Sequence, residues 1–198
     1  MIKQLNKTTV EKSQLTEKIL QFGEGNFLRA FVDWMIDKAN AKGVMSHGIA
    51  IVQPIAQGEA IRKIFEQQDN MYHVYLEGIK DKQPVKEVSL VKSITRIINP
   101  YSDYKAYEEL FLSDALEMVI SNTTEAGIRY EEGDDIHAEP PASYPAKMTA
   151  LLFKRFKKFN GDASKGLSVI CCELIEDNGS TLRQYILQHA KANNLGDA

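Results

Sequence analysis

A doubly wound α/β fold, a mostly parallel sheet with one inserted antiparallel hairpin, is predicted by three features of the sequence. Short runs that are apolar on both faces, at residues 18–22, 48–53, 117–121 and 167–171, read as strands buried on both sides. Helix-period stretches lie between strands, as βαβ units require. Three strand ends are polar, at residues 23–26, 121–125 and 173–179, and ligands of such sheets collect at the carboxyl ends of strands.

The elements follow in order. After the strand at 18–22, apolar residues at 27, 28, 31, 32, 35, 36 and 39 give one helix over 27–40, with Phe31 and Trp34 read as core. Gly43 ends that helix, and the strand at 48–53 stops at Pro54. Tyr72, Val74 and Leu76 alternate with more polar residues, and 85–98 is rich in β-branched residues, so 71–98 reads as an antiparallel excursion. A helix is predicted over 101–111, then the strand at 117–121. Residues 131–141 read as an acidic surface loop, and Ser143 and Pro145 open a helix running to about 159. The strand at 167–171 leads through the turn at 176–179 into a helix over 180–193.

At 198 residues the chain is long enough for one well-buried core, so 1–198 is read as one domain. Hydrophobic residues at 43% and charged residues at 26% exclude disordered and disulfide-scaffold classes. A net charge of -3 gives no electrostatic reason to bind nucleic acid or an anionic membrane, so the expected partner is a small molecule. Adjacent Cys171 and Cys172 point to opposite faces of a strand and are read as free thiols. No apolar run approaches the ~20 residues that span a bilayer, and residues 1–18 lack an apolar signal core, so a cytoplasmic location is the default expectation.

Gly23-Glu24-Gly25-Asn26 stands between a strand and a helix, where glycine lets the backbone approach a pyrophosphate at the helix N-terminus. Leu28 replaces the third glycine of the usual fingerprint, and a plain structural turn is the alternative. The acid that commonly holds the adenine ribose at the end of the second strand is missing, and Gln53 stands there instead. Ser121 to Thr124 either line a nicotinamide or cap the next segment. Lys147 either meets a carboxylate or is solvated on a first helical turn. Asn178-Gly179 also suits a plain helix-entry turn. The acidic residues between 131 and 139 lack the spacing of a calcium loop, and His47, His73 and His189 lack HExxH spacing, so no metal is expected.

Four segments in order carry a resemblance: Phe22-Gly-Glu-Gly-Asn-Phe-Leu-Arg-Ala30, Ser121-Asn-Thr-Thr-Glu-Ala-Gly127, Ser143-Tyr-Pro-Ala-Lys147 and Cys172-Glu-Leu-Ile-Glu-Asp-Asn-Gly179. From about residue 18 to its end the chain resembles the polyol-specific long-chain dehydrogenases, the mannitol dehydrogenase family. The resemblance implies an N-terminal Rossmann domain and a metal-free, NAD-linked interconversion of D-altronate and D-tagaturonate in bacterial galacturonate breakdown. Fructuronate or mannitol chemistry is the alternative within the family, and a free-standing, non-catalytic NAD(H)-binding module is the alternative outside it. It also implies a second, helical C-terminal domain with a lysine base in a Lys-x-x-x-x-Asn-x-x-His motif. The Asn-x-x-His of this sequence is Asn70 to His73, with Phe65 where that lysine would stand, so the base is expected outside this chain and the chain alone is expected to be inactive.

The candidate cofactor residues are Gly23, Glu24, Gly25, Asn26, Phe27, Arg29, Gln53, Ser121, Asn122 and Thr123. The candidate substrate residues are Thr124, Glu125, Lys147 and Asn178, with Asn178 matching the family's oxyanion-stabilising asparagine.

Overall fold

The computed structural model describes residues 4–124 and 127–196. Its elements are β1 (Glu17–Phe22), α1 (Asn26–Leu28), a π-helical segment (Arg29–Asp33), α2 (Trp34–Ala41), β2 (Gly48–Val52), α3 (Glu59–Gln67), β3 (Tyr72–Lys80), β4 (Gln83–Val91), β5 (Ile94–Ile98), α4 (Tyr104–Phe111), β6 (Met118–Ser121), α5 (Tyr144–Lys158), β7 (Ser168–Cys171) and α6 (Asn178–Ala192). Five strands form one parallel sheet in the order β5-β2-β1-β6-β7, and β3 and β4 form a separate antiparallel hairpin. The chain builds outward from β1 to β2 and β5, then returns to lay β6 and β7 on the other side of β1, so the crevice between β1 and β6 is the topological switch point.

The sheet has a core on each face because its central strands are apolar on both. Leu20, Phe22 and Val52 pack with Tyr107, Phe111, Met148, Leu151 and Leu182 of α4, α5 and α6. Ile19, Ile49 and Ile51 pack with Leu28, Val32, Phe65, Tyr72 and Val74 on the opposite side. β7 is an outer strand, and its Val169 and Ile170 remain 37% and 44% exposed despite their apolar character.

Three expectations need correction. The stretch 85–98 does not stay in the hairpin: β4 ends at Val91, and β5 joins the main sheet beside β2. The break is tertiary, since Lys92 N donates to Asp37 Oδ1 at 2.7 Å and Ser93 Oγ donates to Asp33 O at 3.3 Å. α3 is a helix the sequence reading leaves out, and it buries Phe65 while Ile61 and Ile64 stay exposed. The first helix is interrupted by the π segment, which rotates Phe31 out to 49% exposure, where it stacks with exposed Phe27 at 5.4 Å. Among the described residues no helix is long and apolar enough to cross a membrane. Both cysteines are unpaired, and burial pushes the Cys171 thiol up to about 11.

The π segment buries Asp33. Its Oδ2 accepts from Tyr72 Oη at 3.0 Å and from Gln21 Nε2 at 3.5 Å, while Oδ1 has no partner. Burial raises its pKa from 3.8 to about 7, against the pull of Tyr72, Gln21 and Arg29. The folded protein therefore holds a proton between pH 3.8 and about 7 that the unfolded chain has released, and stability falls as pH rises through that window. Asp33→Asn is expected to reduce the loss of stability between about pH 5 and pH 8 by at least about 1 kcal/mol in urea unfolding. Identical pH dependence in the two proteins would contradict the assignment.

Candidate functional site at the carboxyl edge of the sheet

The turn after β1 is shaped by two glycines with different duties. Gly23 adopts φ +107°, and a Cβ there would stand 2.9 Å from the backbone oxygen of Asn122. It is wedged between neighbours, since its N–H donates to Val52 O at 3.0 Å and Asn122 N donates to Phe22 O at 3.1 Å. Gly25 is extended, at φ -65° and ψ 159°, and a Cβ there would meet nothing within 4 Å. It precedes a helix start whose N–H groups receive no side-chain cap, which leaves backbone donors facing open space. Arg29 turns back onto Asn26 Oδ1 and lies over the Phe65 and Tyr72 rings at 5.4 and 5.7 Å.

At the end of β2, Gln53 is fully buried and its Nε2 donates to Gly58 O at 2.7 Å and to Glu24 Oε1 at 3.1 Å. The strand that lacks an acid of its own thus has one brought to it from the glycine turn.

The ends of β6 and β7 are tied together by Glu173, a residue the candidate list omits. Only 3% exposed, it accepts from Ser121 Oγ at 3.1 Å, Thr123 N at 2.9 Å and Thr123 Oγ1 at 3.0 Å. Asn122 Nδ2 donates to Cys172 O at 3.0 Å. Asn178 gives both amide hydrogens to backbone, Cys171 O and Glu173 O at 3.0 Å each, and its Oδ1 accepts from Gly179 N at 2.7 Å. In this arrangement the asparagine holds the β7–α6 turn and offers no unused donor.

Beside the switch point lies a cavity of about 240 Å³ whose walls include Phe22, Ile55, Thr123, Thr124, Arg129 and Lys147. Ser143 caps α5 by accepting from Ala146 N at 3.2 Å, and Asp134 accepts from Ala142 N and Ser143 N at 3.0 and 2.7 Å. That loop-to-helix junction buries Lys147 in the first turn, where Nζ donates to Ala142 O at 2.5 Å and Tyr101 Oη at 3.3 Å. Burial lowers the ammonium pKa to about 8, with Asp134 and Glu131 opposing the shift. A larger apolar groove of about 400 Å³ between α5 and α6 contains none of the strand-end residues.

The sequence model of the mannitol dehydrogenase Rossmann domain matches residues 17–196. The chain belongs to the mannitol dehydrogenase family. Similar curated proteins include the altronate oxidoreductases of Bacillus subtilis, 45% identical over 96% of this chain and 39% of that protein, and of Phocaeicola vulgatus, 44% identical over 99% and 40%. That of Escherichia coli O1:K1 is 42% identical over 96% and 39%. The chain thus spans about two fifths of the curated relatives it matches. Among solved structures, Pseudomonas fluorescens mannitol 2-dehydrogenase, a ternary complex with NAD and D-mannitol, superposes with a TM-score of 0.79 at 20% identity, over 96% of this chain and 42% of that one. A substrate-free D-sorbitol dehydrogenase gives 0.76 at 19%, over 98% and 44%.

This family member therefore gathers most of its sequence-derived candidates on one edge of the sheet. Gly23, Glu24, Gly25 and Asn26 form the turn, with Gln53 on one side and Ser121 to Thr124 on the other. Phe27 is 52% exposed at the helix start. Lys147 and Thr124 share the cavity, Asn178 sits past β7, and Glu125 lies outside the described residues. Glu173 was legible as the start of the polar strand end 173–179 but not as a site residue; an acid directly after an apolar strand, beside hydroxyls at the end of the neighbouring strand, is the signal that marks it as their anchor.

Proposed function

We propose that the chain is the NAD-binding part of an oxidoreductase that interconverts D-tagaturonate and D-altronate by hydride transfer. The observation that carries this reading is the switch-point crevice, where Gly23 lets the turn pack against Asn122 and Gly25 leaves bare backbone beside an uncapped helix start. The chain's similarity to altronate oxidoreductases supports the substrate class. The open space at Gly25 fits a pyrophosphate: the first N–H groups of the helix, with Asn26 and Arg29, hold its charge, and Phe27 offers an apolar face. The nicotinamide, when bound, donates or accepts the hydride.

Ser121, Asn122 and Thr123 shape the wall beside the nicotinamide, and Glu173 keeps that wall rigid. Lys147, with a pKa of about 8, is mostly protonated at neutral pH and supplies a cation for the carboxylate of a sugar acid. That need distinguishes a sugar acid from a polyol such as mannitol, and Thr124 and Glu125 complete the substrate side of the reading. Asn178 stabilises an alkoxide by releasing one of its two carbonyl partners. The base that takes the hydroxyl proton lies in the part of the relatives' length that this chain does not span. The work is cytoplasmic and belongs to galacturonate breakdown.

Titration with NADH is expected to quench the intrinsic fluorescence saturably, and added tagaturonate is expected to leave NADH unconsumed. Absence of saturation would overturn the cofactor reading, and steady NADH consumption would overturn the location of the base.

A further inference from the structure

A dinucleotide fold that prefers NAD commonly has a carboxylate at the end of the second strand, which accepts from the ribose hydroxyls and repels a 2′-phosphate. Gln53 occupies that position here and carries no charge. We propose that Glu24 is this carboxylate, delivered from the glycine turn after β1 and aimed by Gln53, and that it sets the preference for NADH over NADPH. The proposal rests on the cofactor reading given above.

The geometry is a three-residue clamp. Gln53 N donates to Ile98 O at 2.9 Å, which fixes its backbone beside β5. Its side-chain Nε2 faces Gly58 O at 2.7 Å and Glu24 Oε1 at 3.1 Å. Both partners are acceptors, so the amide nitrogen must face them and the amide cannot be reversed. Gln53 Oε1 is consequently left buried without a partner, a cost of about 1–3 kcal/mol that the fold carries to keep the nitrogen on Glu24. A Cβ at position 58 would stand 2.0 Å from Gln53 Nε2, so only glycine there leaves room for the clamp.

Only one oxygen of Glu24 is engaged. Among the described residues Glu24 has no ion pair, and its Oε2 accepts no hydrogen bond. Partly buried at the crevice, it presents an anionic acceptor beside the end of β2. The next acid after β2, Glu59, is spent: both its oxygens take Arg62, at 2.6 and 2.8 Å, and Arg62 also reaches Glu66. The same ties occupy the guanidinium of α3 that would otherwise welcome a phosphate.

The test compares NADH and NADPH binding by calorimetry in the wild-type chain and in Glu24→Gln, Glu24→Ser, Gln53→Met and Glu59→Gln variants, each checked for unchanged thermal unfolding. Wild type is expected to favour NADH by about tenfold or more, and both Glu24 variants to bring the ratio to within about twofold of unity. Gln53→Met is expected to lower the ratio while binding persists, as a positioning residue should, and Glu59→Gln to leave it unchanged. If wild type binds NADH but the Glu24 variants keep its ratio, or if Glu59→Gln collapses it, the proposal is overturned. If wild type binds neither nucleotide, the cofactor reading falls and takes this proposal with it.

Discussion

Arg155→Met should lower the unfolding free energy by about 3–5 kcal/mol, the largest effect expected of any single substitution here. The guanidinium is 4% exposed and bonds to backbone alone: Nε to Lys165 O at 2.8 Å, one terminal nitrogen to Phe111 O and Ser113 O at 2.7 and 2.8 Å, the other to Leu116 O at 3.2 Å. It satisfies the carbonyls at the end of α4, holds the segment that enters β6, and reaches the approach to β7. Methionine keeps the apolar stem but strands those carbonyls in a buried site. For a domain of this size the loss corresponds to roughly 10 °C in Tm. A drop below about 1 kcal/mol in denaturant unfolding would mean that water replaces the guanidinium at little cost.

Gly23→Ala carries the second large effect, and it strikes stability and binding together. A side chain at φ +107° is strained, and the added Cβ meets a backbone oxygen at 2.9 Å that cannot retreat freely. Asn122 is held by its N–H on Phe22 O and by Nδ2 on Cys172 O. Relief must come from opening the seam between β1 and β6, the crevice proposed to take the dinucleotide. The expected result is a loss of about 2–4 kcal/mol in stability and at least about tenfold in NADH affinity. An alanine variant with wild-type unfolding would show that the turn is not wedged.

The reach of the sequence is clearest where local chemistry and tertiary packing agree. The runs that became β1, β2 and β6 are apolar on both faces and belong to the middle of a parallel sheet, and Ser143 with Pro145 starts α5 as their cap chemistry requires. It fails where distant contacts decide. Nothing between 85 and 98 marks the end of the hairpin, because the break at Lys92 and Ser93 is made by Asp37 and Asp33 on the first helix. Nothing in the basic run 154–158 singles out Arg155, and only the fold reveals the carbonyls it serves.

The site divides the same way. The glycine turn and the polar strand ends were readable because backbone conformation and strand polarity leave local marks. The acid missing after β2 was readable as an absence, but the contact that brings Glu24 to the end of that strand joins residues 29 positions apart. Glu173 and Asn178 exchange expected prominence for the same reason: the glutamate is buried as an anchor for β6, and the asparagine spends its donors on its own turn.

The central claim, that the backbone at Gly25 lies against a dinucleotide, is tested most directly by titrating NADH into the wild-type chain and Gly25→Val. The extended φ and ψ at this position admit valine, and its Cβ meets no protein atom within 4 Å, so unfolding should be unchanged. Wild type is expected to bind NADH, and the valine variant to lose at least about tenfold in affinity at undiminished Tm. Equal NADH affinity in two equally stable proteins would contradict the claim.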